Sequence, residues 1–356
     1  MPLPIISESH ALWEKSWRYR RHLESFFKYP SLRRIANLAV VEGEYLLRRQ
    51  KLHGFPYVMI IEPNNTCNLR CPFCPTTLGE LAQPDGMMPL EQFKRLMDQI
   101  APYTFRVILY NWGEPFLHKD IIPMIEYAHS KRIGLIVSSN LNALPRQGVE
   151  ALVASGLDQI IVSCDGLSQE SYEKYRRNGK LAKVVENLKL IHETKKRLGR
   201  SRPKVELQFL AFKHNEHEIP GVPEFGRQVG ADHVSILNPR FDYPSEEILP
   251  ASNPAYVRPG YAPGEREHEP LRKRADKTLL PIPCSWPWRS MIVNWNGTVD
   301  PCCYNNKQLS FGNVHEQPIR KIWNDSPYRA ARQRIKGSRD YRQPHGTICD
   351  TCRGFK

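Results

Sequence analysis

Residues 57–237 alternate between short apolar runs rich in β-branched side chains and longer stretches with helical periodicity. The runs predict strands at 57–62, 106–110, 134–138, 159–163, 204–212 and 233–237, and the stretches between them predict helices at 90–100, 121–130, 147–155, 183–198 and 218–229. Strands that alternate with helices in this way are typical of a parallel sheet built from β/α units. We therefore predict an α/β fold, a partial (β/α)6 TIM-like barrel, with its active site at the carboxyl ends of the strands.

The composition excludes several other classes of protein. Of the 356 residues, 40% are apolar and 25% are charged, which is typical of a globular chain with a core. No apolar run approaches the roughly 20 residues that a membrane-spanning helix needs, so we predict no membrane span. The first residues lack the basic-then-apolar order of a signal peptide, and we expect a cytoplasmic protein.

The formal net charge of +14 lies mostly at the two ends of the chain. Residues 1–53 carry ten Lys and Arg against five Glu, and residues 319–356 carry ten Lys and Arg against three Asp. The N-terminal part predicts helices at 13–27 and 32–51, separated at Pro30. Their basic face has two interpretations, a solvated surface of capping helices or a rim that attracts an acidic partner or substrate.

Four regions follow from these patterns. We predict a basic helical extension at 1–53, the barrel at 54–240, a linker at 241–283 and a small C-terminal domain at 284–356. The linker is rich in proline, which favours an extended segment over a core element.

Nine cysteines in a chain without a predicted export signal indicate metal or redox chemistry, because disulfides are rare in reducing compartments. Cys67, Cys71 and Cys74 follow the first predicted strand, at the expected mouth of the barrel. Structural zinc sites have four protein ligands, and iron–sulfur clusters normally take four cysteines. Three cysteines from one tight loop therefore leave one metal position open for another ligand.

The segment Cys67-Asn-Leu-Arg-Cys71-Pro-Phe-Cys74 resembles the C-x3-C-x2-C signature of the radical S-adenosylmethionine (SAM) superfamily. The resemblance implies a 4Fe–4S cluster whose open iron is chelated by SAM. It also implies cleavage of SAM to a 5′-deoxyadenosyl radical, which abstracts a hydrogen atom from a C–H bond. Phe73 matches the aromatic position that packs near the adenine. An electron donor such as flavodoxin or ferredoxin is implied as a partner.

Further polar residues after the predicted strands are similar to the family's SAM-binding segments. Residues 111–115 look like the family's Gly-Gly-Glu-Pro segment, with Trp112 in place of the first glycine, so close backbone approach depends on Gly113. Taken singly, Asn140 or Asp165 could equally be a helix cap or a turn former, but repeated placement at strand ends favours a binding role. The resemblance assigns SAM contacts to Phe73, Asn111, Gly113, Glu114, Pro115, Ser138, Ser139, Asn140, Ser163, Asp165, Asn215 and Glu218.

The C-terminal region predicts a hairpin, because an Asn-Gly pair lies between two short apolar runs in residues 292–299. The hairpin brings Cys302 back towards Cys284, and a C-x2-C pair lies near the last residue. Four thiolates of this kind could hold zinc or an iron–sulfur cluster. The arrangement resembles the SPASM/twitch domains of radical SAM enzymes in their shorter form. The resemblance implies one auxiliary 4Fe–4S cluster, held by Cys284, Cys302, Cys349 and Cys352.

Two cysteines remain. Cys164 should face the helices, because Ser163 and Asp165 on either side of it share the opposite strand face, and we expect a buried structural thiol. Cys303 lies next to a predicted ligand. It fills space beside the cluster, exchanges with a ligand, or donates a hydrogen atom to a substrate radical, and the last role makes it a candidate catalytic residue.

The implied chemistry has two outcomes. Hydrogen abstraction followed by loss of an electron is an oxidation, and abstraction followed by return of hydrogen is an epimerisation. We expect a small-molecule substrate that is sugar-like, cyclitol-like or phosphorylated, and so anionic in the last case. The alternative is a radical SAM enzyme that modifies a peptide. A zinc-containing nucleic-acid-binding protein is a remote alternative, because neither a stacking platform nor a finger pattern accompanies the basic ends, and we expect no nucleic-acid partner.

Overall fold

The computed structural model describes Glu24 and residues 28–239, 247–257, 284–303, 310–336 and 347–351. The predicted helix at 13–27, apart from Glu24, most of the linker at 241–283, and the predicted ligand Cys352 lie outside these residues.

A single sheet forms the centre of the described part of the chain. Its strands are β1 (Val58–Ile61), β2 (Arg106–Ile108), β3 (Gly134–Ser139), β4 (Gln159–Ser163), β5 (Lys204–Leu210), β6 (His233–Leu237), β7 (Ser290–Val293) and β8 (Val299–Asp300). They lie in the order β6-β5-β4-β3-β2-β1-β7-β8, and all neighbours are parallel except β7 and β8. The predicted α/β fold with a mostly parallel sheet is confirmed.

Helices precede and connect the strands of the barrel and lie on both sides of the hairpin in the chain. They are α1 (Leu32–Leu46), α2 (Pro75–Leu78), α3 (Leu90–Ile100), α4 (Ile121–Ser130), α5 (Val149–Ala154), α6 (Gln169–Tyr175), α7 (Leu181–Arg197), α8 (Val222–Gln228), α9 (Trp286–Arg289), α10 (Ile319–Asn324), α11 (Ser326–Lys336) and α12 (Ile348–Thr351). The bounds of α3 and α4 match the prediction, because each helix buries one apolar face. None of the helices in the described residues is long and apolar enough to cross a membrane.

Three helical segments differ from their prediction for local reasons. The helix predicted at 218–229 divides into a 3₁₀ turn (Glu216–Gly221) and α8, because Pro220 and Pro223 lack the N–H that a continuous helix needs. The helix predicted at 32–51 ends at Leu46. The short helix α6 is not predicted, since seven residues show too little periodicity, and a capping box from Ser168 starts it.

The two faces of the sheet differ in their surroundings. Met59 and Ile61 belong to the main apolar core between sheet and helices, so Ile60 and Glu62 face the interior of the barrel. Isoleucines in register fill that interior at mid-height, and the polar side chains lie after them at the carboxyl ends of the strands. These residues are Ile60, Ile108, Ile136 and Ile292.

The predicted hairpin extends the barrel sheet. β7 pairs with β1 in parallel, and the Glu62 N–H donates to the Val293 carbonyl at 2.9 Å. β8 returns antiparallel after a turn in which Gly297 has φ 83°, a conformation that favours glycine. Because β7 runs parallel to β1, this turn lies at the same end of the sheet as the first cysteine loop.

The segment after α1 lies between the barrel and the C-terminal helices. The indole N–H groups of Trp288 and Trp323 donate to the carbonyls of Arg49 and Gly54, each at 3.0 Å. The fully buried Arg332 donates to the Gln50 carbonyl at 2.9 Å. The end of the basic extension is therefore fixed against the C-terminal region.

Candidate active site

The loop after β1 carries the first three cysteines. Cys67 and Cys74 are half-buried and Cys71 is buried, and the Leu69 N–H donates to the Cys67 sulfur at 3.4 Å. Burial, with a smaller contribution from the neighbouring thiols, raises the pKa of Cys67 to about 11 and that of Cys71 to about 12. The three sulfur atoms are close enough to interact, and such thiols ionise outright when they coordinate a metal.

The donor set fits an iron–sulfur cluster. Thiolates are the soft ligands that iron–sulfur clusters prefer, and a 4Fe–4S cluster presents a different iron atom to each cysteine. Within the described residues, no three His, Cys, Asp or Glu side chains are gathered closely enough to hold a single metal ion. The three thiols of the loop can each coordinate a different iron atom of such a cluster.

An aromatic group lies against the cysteine loop. The Phe73 ring stacks on Phe212 with centroids 6.4 Å apart, and the Tyr175 ring lies 4.5 Å from that of Phe212. Leu69 and Ile248 complete this apolar cluster, which also contacts Cys67 and Cys74. The group can exclude water from the loop, whereas contact between Phe73 and adenine stays a prediction.

Glu114 ties the carboxyl ends of β2 and β3 together. Its Oε1 accepts from the Ser139 hydroxyl at 2.7 Å and its Oε2 from the Asn140 N–H at 2.8 Å. The Asn140 side chain in turn reaches the cysteine loop, with Nδ2 3.0 Å from the Asn68 Oδ1 and 3.8 Å from the Cys67 sulfur. Three predicted SAM contacts thus lie together beside Cys67.

Gly113 packs tightly against the segment that leads to the cysteine loop. A Cβ atom at this position would lie 2.1 Å from the Asn64 carbonyl oxygen. The Asn64 Nδ2 donates to the Glu114 carbonyl at 3.1 Å, so the neighbouring backbone cannot move away freely. Gly113 is therefore required for packing against Asn64, and its contact with SAM stays a prediction.

We expect Gly113→Ala to lower the free energy of unfolding by roughly 2–4 kcal/mol, because a methyl group there meets backbone and not a mobile side chain. Thermal or denaturant unfolding measures the loss. Gly43→Ala is the matched control, since its Cβ would meet nothing within 4 Å inside a helix, and it should be neutral or stabilising. Equal stabilities of the two variants would contradict the prediction.

Arg176 is a half-buried cation that the sequence does not identify. Its Nε donates to the Asp165 Oδ2, and its Nη1 lies 3.6 Å from the Cys71 sulfur. Burial lowers the pKa of Arg176, but Asp165 and Cys71 more than offset this effect and raise it well above its usual value. Burial raises the pKa of Asp165, and Arg176 together with the Leu210 N–H at 2.7 Å acts in the opposite direction. The guanidinium can therefore balance negative charge at the cysteine loop.

Asn215 and Glu218 stabilise the loops after β4 and β5. The fully buried Asn215 donates through Nδ2 to the carbonyls of Asp165 and Leu210. The Glu218 carboxylate accepts from the Leu167 N–H at 2.9 Å and from the Ser171 hydroxyl at 2.7 Å. Both residues have a structural role here, and their contacts with SAM stay predictions.

The remaining predicted contacts also lie at the mouth of the barrel. Ser138 is half-buried and Ser163 is buried, each near the end of its strand. The Asn111 Nδ2 lies 3.5 Å from the Asn294 Oδ1 of the hairpin, and Pro115 begins a 3₁₀ turn. The structure therefore brings these residues to one end of the sheet.

The second group of cysteines lies in the C-terminal region. Cys284, Cys302 and Cys303 are half-buried and Cys349 is buried. Burial raises the pKa of Tyr328 well above its usual value, and Cys302 and Cys349 both contribute, so the two thiols lie near the same ring. The four-cysteine site and the role of Cys303 stay predictions.

Cys164 is fully buried in the main apolar core, and its thiol lies 3.5 Å from the Gly166 carbonyl. This is the helix-facing position expected from the alternation of β4. The apolar surroundings of Cys164 therefore differ from those of the two candidate sets of ligands.

Two family models match this chain. The model described as the radical SAM superfamily matches residues 61–201, and the SPASM model, described as an iron–sulfur cluster-binding domain, matches residues 284–353. Together they cover more than half of the chain.

The chain has distant relatives among proteins with an assigned activity. The chain is similar to a probable GTP 3′,8-cyclase from Methanocaldococcus jannaschii, with 29% identity over 171 residues, which are 48% of this chain and 55% of that protein. It is also similar to a PqqA peptide cyclase from Gluconobacter oxydans, with 25% identity over 302 residues, which are 76% of this chain and 77% of that protein. Among solved structures, Streptococcus suis SuiB bound to SAM has a similar fold, with a TM-score of 0.61 and 18% identity over 86% of this chain and 72% of that chain.

The two matched domains imply three cofactors, which are SAM, a 4Fe–4S cluster that binds it and an auxiliary cluster. The predicted resemblance of the cysteine motifs is confirmed. The chain belongs to the radical SAM superfamily and carries a C-terminal SPASM domain.

Proposed function

We propose that this radical SAM enzyme oxidises or epimerises a C–H centre of its substrate after abstraction of a hydrogen atom. The observation that carries the proposal is that two sets of cysteines share one sheet. The loop after β1 offers three thiols, and the β7–β8 hairpin, which pairs with β1, leads to the second set. An auxiliary cluster on the same scaffold suits oxidation, because a redox centre there can take up the electron that remains after hydrogen abstraction.

Some residues of the chain would bind the clusters or contact their ligands, and others exclude water from the first cysteine loop. When bound, SAM and the two clusters supply the electron transfer and the hydrogen-abstracting radical. Asn140 donates towards the Cys67 sulfur, and Arg176 places its positive charge beside Cys71. The aromatic group around Phe73 keeps water from the loop. The clusters would be held by Cys67, Cys71 and Cys74, and by Cys284, Cys302, Cys349 and Cys352.

A small polar metabolite is the first candidate substrate. Above the isoleucine layer the barrel interior presents side chains that hydrogen-bond, including Ser163 and, opposite it in register, Gln208. Hydroxyl and amide groups of this kind recognise sugar-like or cyclitol-like compounds. The basic C-terminal region favours an anionic form such as a phosphate ester.

A peptide is the second candidate substrate. The observation that favours it is the similarity to the PqqA peptide cyclase over three-quarters of both chains. In this version the same hydrogen abstraction leads to a crosslink or an epimerised residue. In either version we propose a low-potential donor such as flavodoxin or ferredoxin and a reducing, cytoplasmic location.

The cofactor content tests the proposal first. Anaerobic protein reconstituted with iron and sulfide should contain about eight iron atoms per chain, because two 4Fe–4S clusters are expected. With SAM and a strong reductant it should release 5′-deoxyadenosine. Cys71→Ala should abolish this release, whereas the matched control Cys164→Ala, which changes a thiol in the apolar core, should retain it. Colourless protein that holds zinc and no iron would overturn the proposal.

Isotope transfer identifies the substrate class. Deuterated polyols, sugar phosphates and peptides are offered separately, and the true substrate should pass deuterium to 5′-deoxyadenosine. Cys303→Ser distinguishes the two outcomes, since an epimerisation that uses its thiol as hydrogen donor should stop, whereas an oxidation should continue. A lower iron content of Cys303→Ser would show that Cys303 acts at the cluster instead.

A further inference from the structure

The tip of the β7–β8 hairpin contacts two segments that border the first cysteine loop. One segment lies between β2 and Glu114, where the Asn111 Nδ2 is 3.5 Å from the Asn294 Oδ1 of the hairpin, and the other lies between α2 and α3. These contacts are not part of the proposed chemistry, and several of them bury polar groups.

Glu62, the first residue after β1, joins the loops of both neighbouring strands. Its Oε1 accepts from the Trp112 N–H at 3.1 Å, and the Trp295 N–H lies close enough to the carboxyl group to lower its pKa. The side chain is fully buried, and its Oε2 has no hydrogen-bond partner among the described residues. Burying a carboxyl group with an unmatched oxygen is costly, so the contribution of Glu62 lies in the two loops that it holds together.

Trp295, at the tip of the hairpin, covers the loop between α2 and α3. Its ring lies on Gly86, where a Cβ atom would come within 2.3 Å, and its Nε1 donates to the Pro84 carbonyl at 3.2 Å. Asn65 holds the same loop from the other side. Its Oδ1 accepts from the Gly86 N–H at 2.9 Å, and its Nδ2 donates to the Pro84 carbonyl at 2.8 Å.

Side-chain hydrogen bonds close the hairpin turn. The Asn294 Nδ2 donates to the Asp300 Oδ2 at 2.6 Å and to the Thr298 Oγ1 at 3.1 Å. The Gln83 Nε2 also donates to the Thr298 Oγ1 at 2.9 Å. The turn is therefore closed internally and tied to the loop below it.

The contacts end next to predicted ligands of both clusters. Asn65 precedes Cys67 by two residues, and Asp300 precedes Cys302 by two residues. A movement of the hairpin tip would therefore be passed along short stretches of chain to both cysteines. Reactive centres have to be held to within about half an ångström by the residues around them.

We propose that Glu62, Asn65 and Trp295 are positioning residues that form a bracket between the two cluster sites and set their relative position. The inference rests on the proposed function for its meaning, since it assigns the bracket to the coupling of two clusters. The bracket itself is a property of the folded chain, and it can be tested without turnover.

Two single substitutions test the bracket, one at each end. Gly86→Ala places a methyl group against the Trp295 ring, and Glu62→Gln keeps the shape of the side chain at the other end. Hydrogen–deuterium exchange on the full-length protein is the readout. Gly86→Ala should accelerate exchange at least tenfold in the hairpin at 290–300 and also in the segment at 62–68. Gly43→Ala, where no neighbour is met, is the control that should change neither.

Reconstituted protein gives the second readout. The Gly86→Ala protein should bind the same amount of iron as the natural protein and should shift the reduction potential or the EPR spectrum of the auxiliary cluster, whereas Glu62→Gln, which keeps the shape of the side chain, should shift neither. Faster exchange confined to the hairpin, with the segment at 62–68 and both cluster spectra unchanged, would overturn the bracket. Protein without iron would overturn the proposed function instead, and the exchange result would still decide whether the hairpin and the first loop are coupled.

Discussion

Replacing Arg176 with methionine should lower the free energy of unfolding by about 3–5 kcal/mol, because the change leaves a buried carboxylate without its cation. Asp165 is fully buried and Arg176 is 14% exposed, so water cannot take over the lost contact. Denaturant unfolding of the natural protein and the variant measures the difference. Cluster loading should fall as well, because the Nη1 lies only 3.6 Å from the Cys71 sulfur.

Two controls separate charge from packing. Arg146→Met breaks an exposed ion pair with Glu186, whose side chains are 70% and 52% exposed, and should cost less than about 1 kcal/mol. Asp165→Asn combined with Arg176→Met removes both charges, and should be less destabilising than the sum of the single changes. A loss below about 1 kcal/mol for Arg176→Met alone would show that the pair contributes little.

Much of the barrel could be predicted because its elements carry their own local patterns. The predicted bounds of β4 and β6 agree with the structure to the residue, since each strand is a short, mainly apolar run between polar residues. The pairing of β7 with β1 could not be predicted in the same way. It joins strands that are far apart in the chain, and a hairpin pattern specifies only the contact between its own two strands.

The candidate site also combines residues that local sequence patterns reveal with residues that only the fold reveals. Cysteine spacing and polar residues after strands are visible in the sequence, and the structure brings Asn140 to the Cys67 sulfur. Arg176 follows a helix too short to show a period, and its importance depends on partners in two other segments. Glu62 also could not be predicted from the sequence, because only the fold shows that it lies between the loops that follow β2 and β7.

Glu62 should make the protein less stable as the pH rises from about 4.5 to about 8. The pKa of Glu62 is raised to about 8, mainly by burial and to a smaller extent by the nearby Asp300, against the opposing effect of the N–H groups of Trp112 and Trp295. The folded chain therefore keeps a proton that the unfolded chain releases near pH 4.5. Because the folded state binds more protons between about pH 4.5 and pH 8, the free energy of unfolding falls across this range. The contribution of Glu62 is fully present below about pH 4.5, and the free energy of unfolding stays level above about pH 8.

Glu62→Gln isolates this effect, because the amide has a similar shape and does not titrate. The stability of Glu62→Gln relative to the natural protein should rise by up to roughly 4 kcal/mol between pH 5 and pH 8. Asp300→Asn should move the window to lower pH, since it removes the negative charge that opposes ionisation of Glu62. Denaturant unfolding at several pH values measures all three proteins. Parallel profiles for Glu62→Gln and the natural protein would mean that the carboxyl group is already ionised in the folded state, and that its negative charge, not a neutral hydrogen-bonding group, holds the hairpin against the first cysteine loop.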